Sequence, residues 1–402
     1  MGAVTPRGTA GAVAARRLEL ADIVRAHGDV YRRTHRLATV QDAALRAIAT
    51  CRTAALGGHR ERCDRCGAVR VSYNSCRNRH CPKCQTLAKD RWLAARRAEL
   101  LPIPYFHVVF TLPHALNPLA QGNPRVLYAL LFRAAADTLL TFGRDPRHLG
   151  GTLGITAILH TWGQNLSQHL HVHCLVTGGA LVRDGSRWIA SRPSFLFPVH
   201  ALSVVFRAKF LAGLERTFTD ARLRFAAGTG ALADRRAFTR FLDHLRAKDW
   251  VVYAKRPFAG PEQVLAYLGR YTHRVALSND RLVSVDGGTV RVRWTDYADH
   301  DRRKVLALTA DEFLRRFLLH VLPTGFMRIR HFGLLANRRR RVTVARCRQI
   351  LATPAPAPVD DPRALAALDP PRCPFCGEGP WRVVEVFPPV PSTGAPTPPD
   401  SS

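Results

Sequence analysis

Three histidines alternate through His169-Leu170-His171-Val172-His173, and that spacing can do chemistry. On an extended chain it sets three imidazoles on one face and Leu170, Val172 and Cys174 on the other. Two imidazoles at i and i+2 can share one metal ion. A polar strand face is the plainer reading, but three alternating His in an otherwise apolar run favour a metal site. Mg2+ or Mn2+ suits a site that keeps positions open for phosphate oxygens. Zinc binds such ligands more tightly, so affinity alone does not choose. A second constellation is cysteine-rich. Cys63-x2-Cys66 is followed, after 14 residues, by Cys81-x2-Cys84. Each pair can bring two thiolates to one tetrahedral ion, and two pairs complete the shell of a structural Zn2+. Gly67 follows the first pair, where a tight knuckle needs positive φ. Cys51, His59, Cys76 and His80 remain, either as a second zinc site or as buried thiols and surface histidines. Arg70, Arg77, Arg79 and Lys83 surround these ligands with a face suited to phosphate.

A third feature is PEQVLAYLGRYTHRVALSN, which starts at Pro261. Proline suits a first helical turn. Tyr267 and Tyr271 are four apart and share a helix face. Val264, Tyr267, Leu268 and Tyr271 also form an apolar stripe of the kind a core face shows. Gly269 inside the helix costs roughly 1 kcal/mol and hints at close approach of another backbone. Arg270, His273 and Arg274 crowd the same turn, and a cationic surround lowers the pKa of a phenol.

The elements that must position these groups follow from periodicity. Tyr105 to Leu112, the segment GITAILHTWG and the segment HLHVHCLVTGG read as strands of one sheet, mostly antiparallel. Val126 to Phe142 and residues 200–226 read as helices. The fold class is α+β. Four regions are expected: a helical segment over 1–50, a zinc-binding domain over 51–100, a catalytic domain over 105–345, and a tail over 354–402. The tail holds 14 of the 27 prolines and reads as a linker interrupted by a CPFC element, Cys373 to Cys376.

Composition narrows the partner. Lys and Arg total 60 against 30 Asp and Glu, a formal charge of +30 over 402 residues. An enzyme of small acidic metabolites needs no such imbalance, whereas a nucleic-acid partner explains it. No run approaches the roughly 18 apolar residues of a membrane span, and no signal peptide is apparent. The expected compartment is the cytoplasm, where ten cysteines point to metal and not to disulfides. No membrane partner is expected, and monomer and homodimer both remain open.

Five segments in order resemble a known family, the two-tyrosine HUH transposases of rolling-circle insertion sequences of the type called insertion sequence ninety-one. They are Asn74 to Gln85, Phe106 to Leu116, His169 to Gly179, Tyr267 to Asn279 and Met327 to Arg341, spread over most of the chain. The resemblance implies an HUH-nuclease-like antiparallel sheet with flanking helices behind a small zinc-binding domain. It implies that His171 and His173 hold the catalytic metal and that Tyr267 and Tyr271 are the nucleophiles. The family usually has Pro where this chain has Leu170. The third ligand stays open among His169, Gln164 and Gln263. The implied chemistry is attack of a phenolate on single-stranded DNA at an insertion-sequence end. That gives a 5′-phosphotyrosine and a free 3′-hydroxyl, and rejoining needs no ATP. The run from Arg328 to Arg348 has eight Arg and no acid. Arg328, Arg330, Arg338, Arg339, Arg340 and Arg341, with Arg270 and Arg274, are expected to track phosphates. A replication initiator or conjugative nickase would share the His strand, but not the zinc segment. A zinc-dependent DNA-binding regulator would explain charge and cysteines, but not the His strand and Tyr pair.

Overall fold

The computed structural model describes residues 17–85, 93, 96–97, 99–226, 228–258, 263–264, 269, 276–297, 299–352 and 372–390. Two helices open the chain, α1 (Leu20–Thr34) and α2 (Thr39–Thr50), followed by the hairpin β1 (Gly58–Cys63) and β2 (Val69–Tyr73). Then come β3 (Tyr105–Thr111), α3 (Asn117–Gly122), α4 (Pro124–Arg144), β4 (Gly151–Trp162), β5 (Gln168–Val182), β6 (Trp188–Ala190), α5 (Val199–Thr219), α6 (Arg235–Arg246) and β7 (Val252–Phe258). Three further strands follow, β8 (Leu282–Asp286), β9 (Thr289–Asp296) and β10 (Arg302–Thr309), and then α7 (Ala310–Leu318), β11 (Ile329–Gly333), α8 (Arg340–Ile350) and β12 (Trp381–Phe387). The fold is α+β, and its sheets are antiparallel.

The main sheet runs β11-β4-β5-β3-β7, with β6 added beside β5. Strict alternation gives it two different faces. Phe106, Val108 and Phe110 of β3, Ile155, Ala157 and Leu159 of β4, and Leu170, Val172 and Cys174 of β5 point into one apolar core. That core is closed by Leu127, Leu131 and Leu139 of α4, Phe206 and Phe210 of α5, and Phe238 and Leu242 of α6. α4 is long and apolar enough to cross a membrane by length and composition, and its apolar side is buried in this core. The opposite face of the same strands carries the histidines. The helices therefore back the sheet and leave the chemical face to the rest of the chain.

A second core joins distant parts of the sequence. Leu20, Ile23 and Val24 of α1 and Leu45 and Ile48 of α2 pack with Leu282, Val290, Val292 and Leu308 of the β8–β10 sheet and with Phe313 and Phe317 of α7. The N-terminal helices are thus no separate segment. α7 is capped by Thr309, whose hydroxyl accepts from the Glu312 amide at 3.2 Å, with Asp311 and Glu312 in the first turn. Just beyond its end, His320 ties this module to the main sheet. Its ring nitrogens meet Thr161 Oγ1 at 3.2 Å and the Leu166 carbonyl at 3.1 Å.

Burial lowers the pKa of His320 to about 4. In the unfolded chain it titrates near ~6.5. Above that value the imidazole is neutral in both states and contributes nothing to pH dependence. As pH falls from about 6.5 towards 4, only the unfolded state gains the proton, so the native state loses stability, by about 2 kcal/mol at pH 5 for this one group. The thermal midpoint should fall over that window with zinc still bound, and His320→Gln should flatten the slope. A slope unchanged by the substitution would contradict the assignment.

The tail departs from expectation. β12 pairs antiparallel with β1, from Gly58 opposite Phe387 to Cys63 opposite Trp381, giving a sheet in the order β12-β1-β2. The segment around Cys373 therefore belongs to the zinc-binding region. Proline content had marked a linker, but strand pairing is set by the residues after Pro380, and those are WRVVEVF.

Candidate metal centres and nucleic-acid site

Strand register builds the histidine cluster. His160 on β4 lies directly opposite His171 on β5, and His173 lies opposite Val109 on β3. The ligand nitrogens of His160, His171 and His173 all lie within 4.8 Å of one another. The ring centroids are 5.3 Å apart for His160 and His171 and 4.3 Å apart for His160 and His173. Burial, with His173 and His169 nearby, holds His171 well below the usual imidazole range. Burial, with His107 and His169 nearby, does the same for His173. Neutral imidazoles are what a cation needs as ligands.

Outer partners fix the rings. His171 Nδ1 lies 2.9 Å from the His169 carbonyl, so it carries the proton and Nε2 is the ligating nitrogen. His173 Nδ1 lies 2.8 Å from His107 Nε2, and burial lowers His107 to about 3. A neutral His107 can accept the His173 proton, which turns His173 Nε2 towards the cluster. The three imidazoles of His160, His171 and His173 form a donor set that fits a divalent ion.

The third member was not among the expected residues. His169 pairs instead with His114, Nδ1 to Nε2 at 3.0 Å. Gln164 donates to the Tyr297 hydroxyl at 3.2 Å. Gln263 is exposed. The available signal was one histidine on the chemical side of GITAILHTW, but only the register of β4 against β5 gives it meaning. The cluster forms one wall of a cavity of about 690 Å3 that also takes in His114, His169, Trp162, Trp294 and Tyr297. Its aromatic surfaces and openings suit a flat, partly apolar ligand.

Tyr267, Tyr271, Arg270 and Arg274 lie outside the described residues. Their described neighbours are informative. Val264 is fully buried in a cluster with Ile158 and Leu175. Those two side chains stand on the histidine face, two residues from His160 and His173. Gly269 is helical, and a Cβ there would lie 2.9 Å from Leu93 Cδ1. The close neighbour at Gly269 is a side chain and not the backbone its position had suggested.

The cysteines group differently from their sequence pairs. Cys51, Cys76, Cys81 and Cys84 form one quartet, and Cys63, Cys66, Cys373 and Cys376 form another. The expected single site of Cys63, Cys66, Cys81 and Cys84 is therefore split in two. In the first quartet the sulfur separations include 3.6 Å for Cys51 and Cys84, 3.5 Å for Cys76 and Cys84, and 3.6 Å for Cys81 and Cys51. Four thiolates around zinc at about 2.3 Å would stand about 3.8 Å apart, so the quartet fits a tetrahedral ion. Hydrogen bonds from Cys76 and Cys81 already hold the Cys51 thiol well below its usual range.

The two histidines expected to complete a second site do not join either quartet. His59 sits on β1, 3.8 Å from a Glu61 oxygen. His80 is buried, with Nδ1 3.1 Å from Asn78 Oδ1, and its Nε2 accepts from the Leu322 amide at 3.1 Å. It fastens the zinc loop to the segment after α7, which explains its burial better than metal ligation does. Arg79 adds to that seam by donating to the Phe326 carbonyl at 2.8 Å.

The basic run divides in two. Burial beside Arg79 pushes Arg328 down to about 9, and the Arg330 guanidinium stacks over Phe132 at 4.6 Å and Phe326 at 5.0 Å. Arg340 pairs with Glu99 at 3.0 Å. These three pack against the protein. Arg338, Arg339 and Arg341 are exposed and present their charge to solvent.

Two family descriptions match the chain. "Transposase zinc-binding domain" covers residues 23–112, and "Putative transposase" covers residues 154–342. The chain is 52% identical to a protein of Sinorhizobium fredii named "Putative transposase y4qJ", over 92% of this chain and 95% of that one. It is 30% identical to the "Transposase for insertion sequence element IS801" of Pseudomonas savastanoi pv. phaseolicola, over 81% of this chain and 79% of that one. No solved structure matches. With such likeness across nearly the whole of both relatives, and zinc-fitted thiols within the matched N-terminal domain, the chain belongs to the transposases of the insertion-sequence-ninety-one type that carry a zinc-binding domain.

Proposed function

We propose that this transposase nicks and rejoins single-stranded DNA at insertion-sequence ends, through a covalent 5′-phosphotyrosine on Tyr267 or Tyr271. The observation that carries the reading is the close trio of His160, His171 and His173 at the wall of an aromatic cavity. A divalent ion there would polarise a non-bridging phosphate oxygen and orient the diester for in-line displacement. Three imidazoles without a carboxylate favour Mn2+ over Mg2+ among the ions expected. Val264, three residues before Tyr267 in the sequence, packs beside Ile158 and Leu175 on the histidine face. The phenolate attacks phosphorus, the P–O bond to the 3′ oxygen breaks, and that oxygen leaves as a hydroxyl after taking up a proton. The bond energy stays in the phosphotyrosine, so the reverse attack rejoins the strand. Two tyrosines allow two such ends to be held in turn. Arg338, Arg339 and Arg341 would supply much of the affinity through phosphate contacts, so binding should weaken with salt.

The test is adduct formation with a single-stranded oligonucleotide carrying the element's end, in Mn2+. Tyr267→Phe and Tyr271→Phe each remove one oxygen and keep the ring. Each single variant should fail in complete strand transfer, and the double variant should form no adduct while folding as wild type does. A covalent complex formed by the double variant would place the nucleophile elsewhere.

A further inference from the structure

The quartet of Cys63, Cys66, Cys373 and Cys376 joins two parts of the chain more than 300 residues apart, as Cys63 and Cys376 show. We propose that these four thiolates hold a zinc ion of their own, separate from that of the Cys51 quartet. Each end of the chain then supplies half of one metal site, and the C-terminal strand is held in place by that ion.

Geometry supports the site first. Cys63 and Cys376 sulfurs are 3.7 Å apart, and so are those of Cys66 and Cys373. That is the edge of a tetrahedron of thiolates around zinc, about 3.8 Å, and far from a disulfide of about 2.05 Å. The two halves are also built alike. The sequences are Cys63-Asp-Arg-Cys66-Gly67 and Cys373-Pro-Phe-Cys376-Gly377. In each, the glycine amide donates back to the first cysteine's carbonyl, at 3.0 Å for Gly67 and 2.8 Å for Gly377. Both glycines have left-handed φ, 73° and 74°. In each, the first cysteine's amide donates to a carbonyl just beyond the glycine, Ala68 at 2.8 Å and Gly379 at 3.1 Å. Two matching knuckles therefore face one another across a common centre.

Energetics supply the second argument. The sheet β12-β1-β2 has almost no apolar interior. Across its three strands only Gly58 and Cys63 are buried. Val383, Val384 and Val386 of β12 are 49%, 46% and 74% exposed. The strand's other ties are surface ion pairs, such as Arg60 with Glu385 at 3.0 Å and Arg382 with Asp64 at 3.1 Å, and the Arg70 guanidinium over Trp381 at 4.2 Å. Exposed pairs of that kind contribute little. A sheet this open lacks the burial to order itself, and metal ligation is the usual remedy in small elements. Cysteine ligation releases thiol protons to solvent, and no oxidant or reductant is involved.

The two ions would differ in setting. The first quartet has Cys51 and Cys81 inside a large apolar cluster, whereas the second lies at the tip of an exposed sheet with Cys66 open to solvent. The terminal site should therefore be the first to lose zinc to a chelator.

The test counts zinc in the purified full chain by elemental analysis. Wild type should hold two zinc ions per chain. The paired variant Cys373→Ser with Cys376→Ser should hold one, as should Cys63→Ser with Cys66→Ser. A second measurement covers a variant that fails to fold. In wild-type protein Cys63, Cys66, Cys373 and Cys376 should resist alkylation together and become reactive together when chelator is added, ahead of Cys51 and Cys81. One zinc in wild type, two in the Cys373/Cys376 variant, or free alkylation of Cys373 and Cys376 in the zinc-loaded protein would each overturn the proposal.

Discussion

His160→Ala is expected to abolish strand cleavage while leaving single-stranded DNA binding within about twofold of wild type. Changes to groups that only orient metal ligands typically cost ~10–100-fold, and loss of a ligand should exceed that range. The cause lies in the register. His160 is the only member of the trio contributed by β4, and it sits opposite His171 within the cluster. Without it, two adjacent imidazoles of one strand remain, which hold a divalent ion weakly. Binding should survive because, on the proposed reading, exposed arginines such as Arg338 and Arg339 would supply most of the affinity through phosphate contacts. His107→Ala should give the intermediate loss, since His107 only orients His173, and extra Mn2+ should partly restore it. His169→Ala should change little, because that ring is turned to His114. Isothermal titration with Mn2+ separates the readings: affinity should fall most for His160→Ala, less for His107→Ala and least for His169→Ala. If His169→Ala proved the dead variant and His160→Ala kept full cleavage, the trio would be wrongly drawn.

The parts of this fold legible in the sequence were those governed by local periodicity. The His169–Cys174 stretch of β5 alternates so plainly that its two faces, core and histidine, follow from residue order alone. The helix over 124–144 also declares itself, with Pro124 at its first turn and apolar residues throughout. What failed to show was anything decided by pairing between distant segments. CxxC spacing fixes which two thiols are neighbours, because four residues of backbone hold them together. It says nothing about which second pair closes the shell, so Cys63 and Cys66 were joined in expectation to Cys81 and Cys84 when their partners lie past residue 370. His160 was missed for the same reason, since one histidine in a strand gains meaning only from its cross-strand neighbours. Charge misled in another way. Arg328 and Arg330 stand in a run that reads as a phosphate face, yet one is half-buried beside Arg79 and the other stacks on two phenylalanines. A guanidinium can be a packing element as readily as a charge, and sequence does not distinguish the two.

Cys81→Ser should damage the protein far beyond the zinc loop, and in this it should differ from Cys376→Ser. The reason is where each quartet sits. Cys51 and Cys81 are buried among Leu20, Ile23, Leu45 and Ile48 of the N-terminal helices and Phe313 and Phe317 of α7. Lys83 reaches Glu19 at 2.7 Å, while His80 and Arg79 tie the same loop to Leu322 and Phe326. One ion therefore stands where the N-terminal helices, the β8–β10 module and the edge of the main sheet meet. Structural zinc sites bind with ~10–16 kcal/mol in small peptides, and part of that free energy is folding free energy here too. Losing it would leave three thiols in an apolar seam with no shared centre. A drop in thermal midpoint on the order of 10 °C follows from a loss of a few kcal/mol. Cys376→Ser touches only the exposed sheet, so its midpoint should stay within a few degrees of wild type, with one zinc lost. Scanning calorimetry and elemental analysis on the two variants decide the matter. Equal, small effects would mean that the first quartet is a local knuckle, and that apolar contacts, hydrogen bonds and the Lys83–Glu19 pair hold the seam between the N-terminal helices and the main sheet without help from the metal.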